Sequence, residues 1–111
     1  MIELILKTLN KVAPTGWLKR PNDKTSISFF RVSEQGEVFT SSGEVETEII
    51  IQVDVWSKKD FTELVKQVKT KMNEIEFYRT YETEDYEKDE KLYHKILRFT
   101  HLRNNESDGD E

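Results

Sequence analysis

The chain contains no cysteine, which removes disulfides, thiolate metal centres and cysteine nucleophiles together. Glycine is scarce. Gly16, Gly36, Gly43 and Gly109 lie too far apart to form a phosphate-cradling loop, and no Gly-x-Ser-x-Gly turn presents Ser41 or Ser42 as a nucleophile. Long apolar runs are absent as well. The briefly apolar start, from Met1 to Asn10, is interrupted by Glu3 and Lys7 and leads to no small-residue cleavage site. It reads as a helix and not as a leader, no membrane partner is expected, and synthesis in the cytoplasm is the expectation. Positive charge is in deficit too: the formal net charge is −5, so the molecule as a whole repels nucleic acid.

What is present supports one folded domain. A chain of 111 residues has room for a single modest core. Aromatic residues at 11% argue against a disordered chain, while charged residues at 35% predict a wet surface. Ile2, Ile5, Leu6, Leu9 and Val12 recur on one helical face, and Pro14 and Gly16 should end that helix. "WLKRPNDKT" follows as a loop of turn formers. Ile27, Phe29, Phe30 and Val32 predict a strand with both faces partly covered. From Ser33 to Glu44 the pattern fits either a short hairpin strand or a mobile loop.

Val45, Thr47, Ile49, Ile51, Val53 and Val55 alternate with polar residues, which predicts a long antiparallel strand packed on one side. The period then changes. Asp60 and Glu63 form an expected capping pair, and Phe61, Leu64, Val65, Val68, Met72 and Ile75 build a helical stripe. Two further strands are expected, around Phe77 to Glu82 and Leu92 to Leu102, joined by the acidic hairpin link "TEDYEKDE". The fold class is therefore α+β: a two-layer domain over residues 1–103, with an antiparallel sheet of about four strands and two helices on one face. Residues 104–111 predict a disordered acidic tail.

Candidates for chemistry are few. His94 and His101 stand an odd number of positions apart in one strand, so they point to opposite faces and do not ligate one ion. The acids Glu84, Asp85, Glu87, Asp89 and Glu90 lack the ordering of a calcium loop and fit a solvated hairpin. Phe29 with Phe30, Tyr78 with Tyr81, and Tyr86 with Tyr93 would serve as stacking platforms only in a positive groove, so packing or interface roles are expected. No catalytic, cofactor or metal residues are assigned, and the chain is expected not to be an enzyme. A strand such as "LYHKILRFTHL", apolar in parts on both faces, belongs at a sheet centre or against another subunit.

Taken together, "VDVWS" (Val53 to Ser57), the amphipathic helix after it and "EFYRTYETEDYEKDEKLYHKILRF" (Glu76 to Phe99) resemble the siphophage and prophage head-tail joining proteins, also called tail completion or tail terminator proteins. The resemblance runs from about Ile27 to Arg103. Its markers are Asp54, Trp56 and Ser57, then Tyr86, Glu87, Asp89, Tyr93, His94, Lys95 and Arg98. It implies a non-enzymatic virion structural protein at the head-tail interface, in the host cytoplasm before assembly. There a homo-hexameric ring would cap the tail tube and dock to the head connector or stopper protein, with DNA only passing through its channel. Asp54, Trp56, Ser57, Tyr86, Asp89, Tyr93, His94 and Arg98 would then be structural or interface positions. The alternative is a host protein-binding or regulatory module with the same two-layer fold; a third reading, a nucleic-acid binder, is disfavoured by the charge.

Overall fold

The computed structural model describes residues 1–39 and 45–104, and the side-chain surroundings of 1–32 and 48–101. Residues 40–44, at the end of the stretch read as hairpin strand or loop, and the acidic tail from 105 lie outside the described residues. The elements are α1 (Ile2–Asn10), β1 (Thr15–Trp17), β2 (Ser26–Phe39), β3 (Val45–Ser57), α2 (Thr62–Glu74), β4 (Tyr78–Glu87) and β5 (Leu92–Asn104). They form an α+β domain with a five-stranded sheet in the order β1-β2-β3-β5-β4.

The helices form where the apolar spacing places them. Ile5 and Leu9 of α1 are fully buried, and Ile2, Leu6 and Val12 pack beside them. The helix stops at Asn10, whose Nδ2 donates to the Leu6 carbonyl at 2.9 Å while its Oδ1 accepts the Thr15 N–H at 3.0 Å. In α2, Val65, Val68 and Met72 are buried, with Phe61, Leu64 and Ile75 around them. Each such side chain contributes about 1.5–3 kcal/mol when fully withdrawn from water.

The two ends of α2 differ in how they are closed. The expected pairing of Asp60 with Glu63 does not form. Asp60 Oδ1 accepts the Thr62 N–H at 2.9 Å and the Thr62 hydroxyl at 2.6 Å, one residue early, because Phe61 occupies the cap position and carries no side-chain cap. These two bonds hold the Asp60 carboxyl below its ordinary range, the hydroxyl first. At the other end Glu76 takes a positive φ of 65°. Its N–H donates to Asn73 and that of Phe77 to Met72, a Schellman closure made without glycine.

Alternation builds the sheet's buried side. Ile27, Phe29, Ile49, Ile51, Val53, Val55, Leu97 and Phe99 join the buried residues of α1 and α2, together with Phe77, in one cluster.

Two expectations about the sheet are corrected and one open reading is resolved. The sheet has five strands, not about four, and is mixed, because β1 pairs with β2 in parallel. Its ladder is secured by the Pro14 carbonyl accepting the Ile27 N–H at 2.8 Å and by the Leu18 N–H donating to Phe29 at 2.9 Å. Second, the ambiguous stretch from Ser33 belongs to β2 as far as Phe39, and its irregular composition is absorbed by register shifts at Arg31/Ser33 and Glu34/Glu37. Third, most of the acidic link is strand: β4 runs to Glu87 before the chain turns into β5. As an edge strand, β4 keeps its acids largely in water while its backbone pairs with β5.

Candidate functional site

Opposite the buried cluster lie alternate residues of β2, β3, β5 and β4, and four of the sequence candidates meet there: Asp54 and His94 are themselves buried, Trp56 is half-buried and Arg98 is exposed. The β3–β5 register sets Trp56 beside His94 and Gln52 beside Arg98. Trp56 and His94 stack, with ring centroids 3.7 Å apart and planes inclined by 12°; an aromatic stack of this kind is worth about 0.5–1.5 kcal/mol beyond its area.

Carboxylates hold the imidazole from both sides. Glu87 Oε1 lies 3.3 Å from His94 Nδ1, and Asp54 Oδ1 lies 3.3 Å from Nε2, at ion-pair distance though outside hydrogen-bond geometry. Because the two ring nitrogens face different acids, the acids clamp the ring and do not converge on one cation position. Asp54 is tied further along the face: Gln52 Nε2 donates to its Oδ1 at 3.1 Å, and Arg98 Nε donates to Gln52 Oε1 at 3.3 Å. The Arg98 guanidinium also sits 5.7 Å from the Tyr81 ring centroid.

The outer side of the stack is closed by the segment between β1 and β2. Arg20 lies 4.6 Å from the Trp56 ring centroid and pairs with Glu90 of the β4–β5 turn. Trp56 Nε1 donates to Ser28 Oγ at 3.4 Å. Arg20, Trp56 and His94 thus form a layered stack with acids around it, an arrangement suited to a fixed recognition surface. A partly exposed cation–π contact contributes about 0.5–1 kcal/mol.

The remaining candidates lie elsewhere. Tyr86 and Tyr93 touch each other, with centroids 5.0 Å apart, and Tyr93 meets Phe61 edge-on at 6.4 Å. Asp60, Phe61, Thr62, Glu84 and Tyr93 line a groove of about 380 Å³. Beneath it the buried Lys95 donates to Glu82 at 3.3 Å and to Glu84 at 3.2 Å, and Lys69 pairs with Glu82 at 2.8 Å. The Lys69 contact first, and then Lys95, hold the Glu82 carboxyl below its ordinary range, against the opposing effect of burial. Ser57 is buried and accepts the Lys59 N–H at 3.1 Å, a turn-forming role. Asp89 is exposed between β4 and β5. His101 lies apart from His94, tilted against Phe77 at 5.1 Å with its Nδ1 2.9 Å from the Glu76 carbonyl oxygen.

Sequence reasoning missed Arg20 and Gln52, and it read Glu90 only as a solvated acid of the hairpin. Arg20 stands among turn formers, and nothing local connects it to Trp56. Gln52 was readable only as a polar alternate of β3, and its link to Arg98 depends on the cross-strand register. No family model matches the chain, and no curated protein matches it.

Proposed function

We propose that the chain is a non-enzymatic virion assembly subunit of a bacteriophage or prophage. It closes into a ring that caps the head-proximal end of a tail tube and joins it to the head connector. In this reading the subunit has two layers, with both helices on one face of the sheet, and DNA only passes through the central channel. Asp54, Trp56, His94 and Arg98 form a rigid outer face for a protein partner.

The observation that carries this reading is the inequality of the sheet's two edges. Among the described residues, β4 at one end pairs only with β5. At the other, β1 covers β2 only from Ile27 to Phe29, so among the described residues most of β2 has a strand on one side alone. Unlike edges favour a contact in which one surface of a subunit meets a different surface of the next, and such contacts close into rings or continue as filaments. The resemblance of Val53 to Ser57 and Glu76 to Phe99 to head-tail joining proteins supports the ring over the filament, and the head-tail interface as its setting.

Solution mass measured by light scattering over a concentration series, with negative-stain imaging, tests self-assembly. Incubation with purified tail tubes tests the setting. Rings with a central hole that bind tube ends are the expected outcome; a monomer that ignores tail tubes overturns the reading. The alternative, a host binding module of the same fold, uses the same outer face. Capsid, connector and tail-tube genes beside this gene separate the two.

A further inference from the structure

The end of β1 and the residue after it display two large apolar side chains that the fold covers only in part: Trp17 is 49% exposed and Leu18 69%. They are held out rigidly. Leu18 has a φ of 65°, a left-handed conformation unfavourable for leucine, and its N–H is fixed to the Phe29 carbonyl. A Cβ on Gly16 would come within 2.0 Å of the Lys19 carbonyl oxygen, so the tight approach of this segment requires glycine. Lys19 is exposed beside the pair, whereas Arg20 is engaged by Trp56 and Glu90. The result is a fixed apolar knob with a basic flank.

The groove beside Phe61 and Tyr93 has the complementary character. Phe61 and Tyr93 give it an aromatic lining, and the charged residues lining it, Asp60 and Glu84, are both acidic, Glu84 also accepting from Lys95 at 3.2 Å. Its volume of about 380 Å³ lies at the small end of the roughly 300–1,000 Å³ range of ligand sites, so it suits one or two side chains. Trp17 belongs to one terminal strand of the sheet, β1, and Glu84 of the groove to the other, β4. Their levels nearly coincide. Through the cross-strand register Trp17 aligns with Phe29 and hence Val53, whereas Glu84 aligns with Lys95 and hence Val55. Side chains paired across strands share a face, which puts Trp17 on the Phe29 side and Glu84 on the Lys95 side, the same side of the sheet.

We infer that Trp17 and Leu18 of one copy of this chain seat in the Phe61–Tyr93 groove of the next copy, with Lys19 facing Asp60 and Glu84. A patch on one surface that fits a pocket elsewhere on the same molecule makes a head-to-tail contact, which propagates around a ring. Central aromatic anchors in desolvated pockets carry most of the affinity in such contacts, and charge complementarity at the rim sets orientation. This contact deepens the ring reading above and rests on its self-assembly half.

The absence of native cysteine permits a direct test. A full-length chain carrying both Leu18→Cys and Thr62→Cys should oxidise to a ladder of dimers, trimers and larger species. A mixture of the two single variants should stop at the dimer that joins one of each. Trp17→Ala, at an exposed position that leaves the core intact, should suppress the ladder and weaken association at least about 30-fold, the loss of a hot-spot anchor. Lys19→Glu should weaken association, and adding Asp60→Lys with Glu84→Lys should restore it. No ladder, or a ladder indifferent to Trp17→Ala, overturns the contact. Rings that persist unchanged in Trp17→Ala overturn it while leaving ring formation intact. A Trp17-dependent ladder in a protein that ignores tail tubes supports the contact and defeats the tail assignment.

Discussion

On one side of the sheet Ile27, Phe29, Ile51, Val53, Val55, Leu97 and Phe99 are wholly withdrawn from water; on the other, the same strands carry Ser28, Gln52, Asp54, Trp56, His94 and Arg98. The first set is interchangeable in kind, since any well-packed apolar residue of matching volume would serve. The second set is particular: each member has a named partner and a direction. The difference teaches that in this chain apolar packing and a polar, mutually bonded network are written on alternate residues of the same strands, so neighbouring positions answer to different demands.

Substitutions can break that contrast, and the largest effect is expected on the buried side. Phe29→Ala should cost about 3–5 kcal/mol in urea denaturation, enough to unfold a domain of ordinary stability. On the outer face Asp54→Ala should cost about 1–3 kcal/mol, because it removes the acceptor of Gln52 and one side of the His94 clamp. A double-mutant cycle with His94→Ala should give a non-zero coupling energy of about 0.5–3 kcal/mol; additive losses would mean that the clamp is only proximity.

Arg20→Ala should cost no more than about 1 kcal/mol, since it removes a cation–π contact and a partly exposed ion pair. A loss as large as that of Phe29→Ala would show that the outer stack holds the fold together. The smallest effect concerns Glu82, on the side of the buried cluster. Folding lowers its pKa, so its stabilising effect is full above the ordinary value of 4.5 and is lost as pH falls from there through the lowered value. Glu82→Gln should flatten that acid limb in a series of thermal melts, by less than about 1 kcal/mol.

Legibility in the sequence followed the same division. The helical stripes of α1 and α2 and the alternation of β3 could be read because a period repeats within each segment. β1 could not, because three residues among turn formers become a strand only through pairing with Ile27 to Phe29. The acidic run in β4 read as a link because an edge strand in water has no apolar alternation to display. Of the eight residues that the resemblance marks, the β3–β5 register brings Asp54, Trp56, His94 and Arg98 to one face and leaves Ser57, Tyr86, Asp89 and Tyr93 elsewhere, a division that no local pattern encodes. Arg20 was invisible for the same reason, carried further.

The central place of β3 governs how the chain reaches its fold. Its hairpin with β2 closes locally, but its other edge waits for β5, and Val53 meets Leu97 only after α2 and β4 have been made. During synthesis from the N-terminus, Ile49, Ile51, Val53 and Val55 therefore stand as an apolar, half-paired ribbon until the last strand emerges. Closing that long gap makes folding slower than for a protein of local contacts. The interval before β5 arrives is when the chain is most exposed to pairing with the wrong molecule.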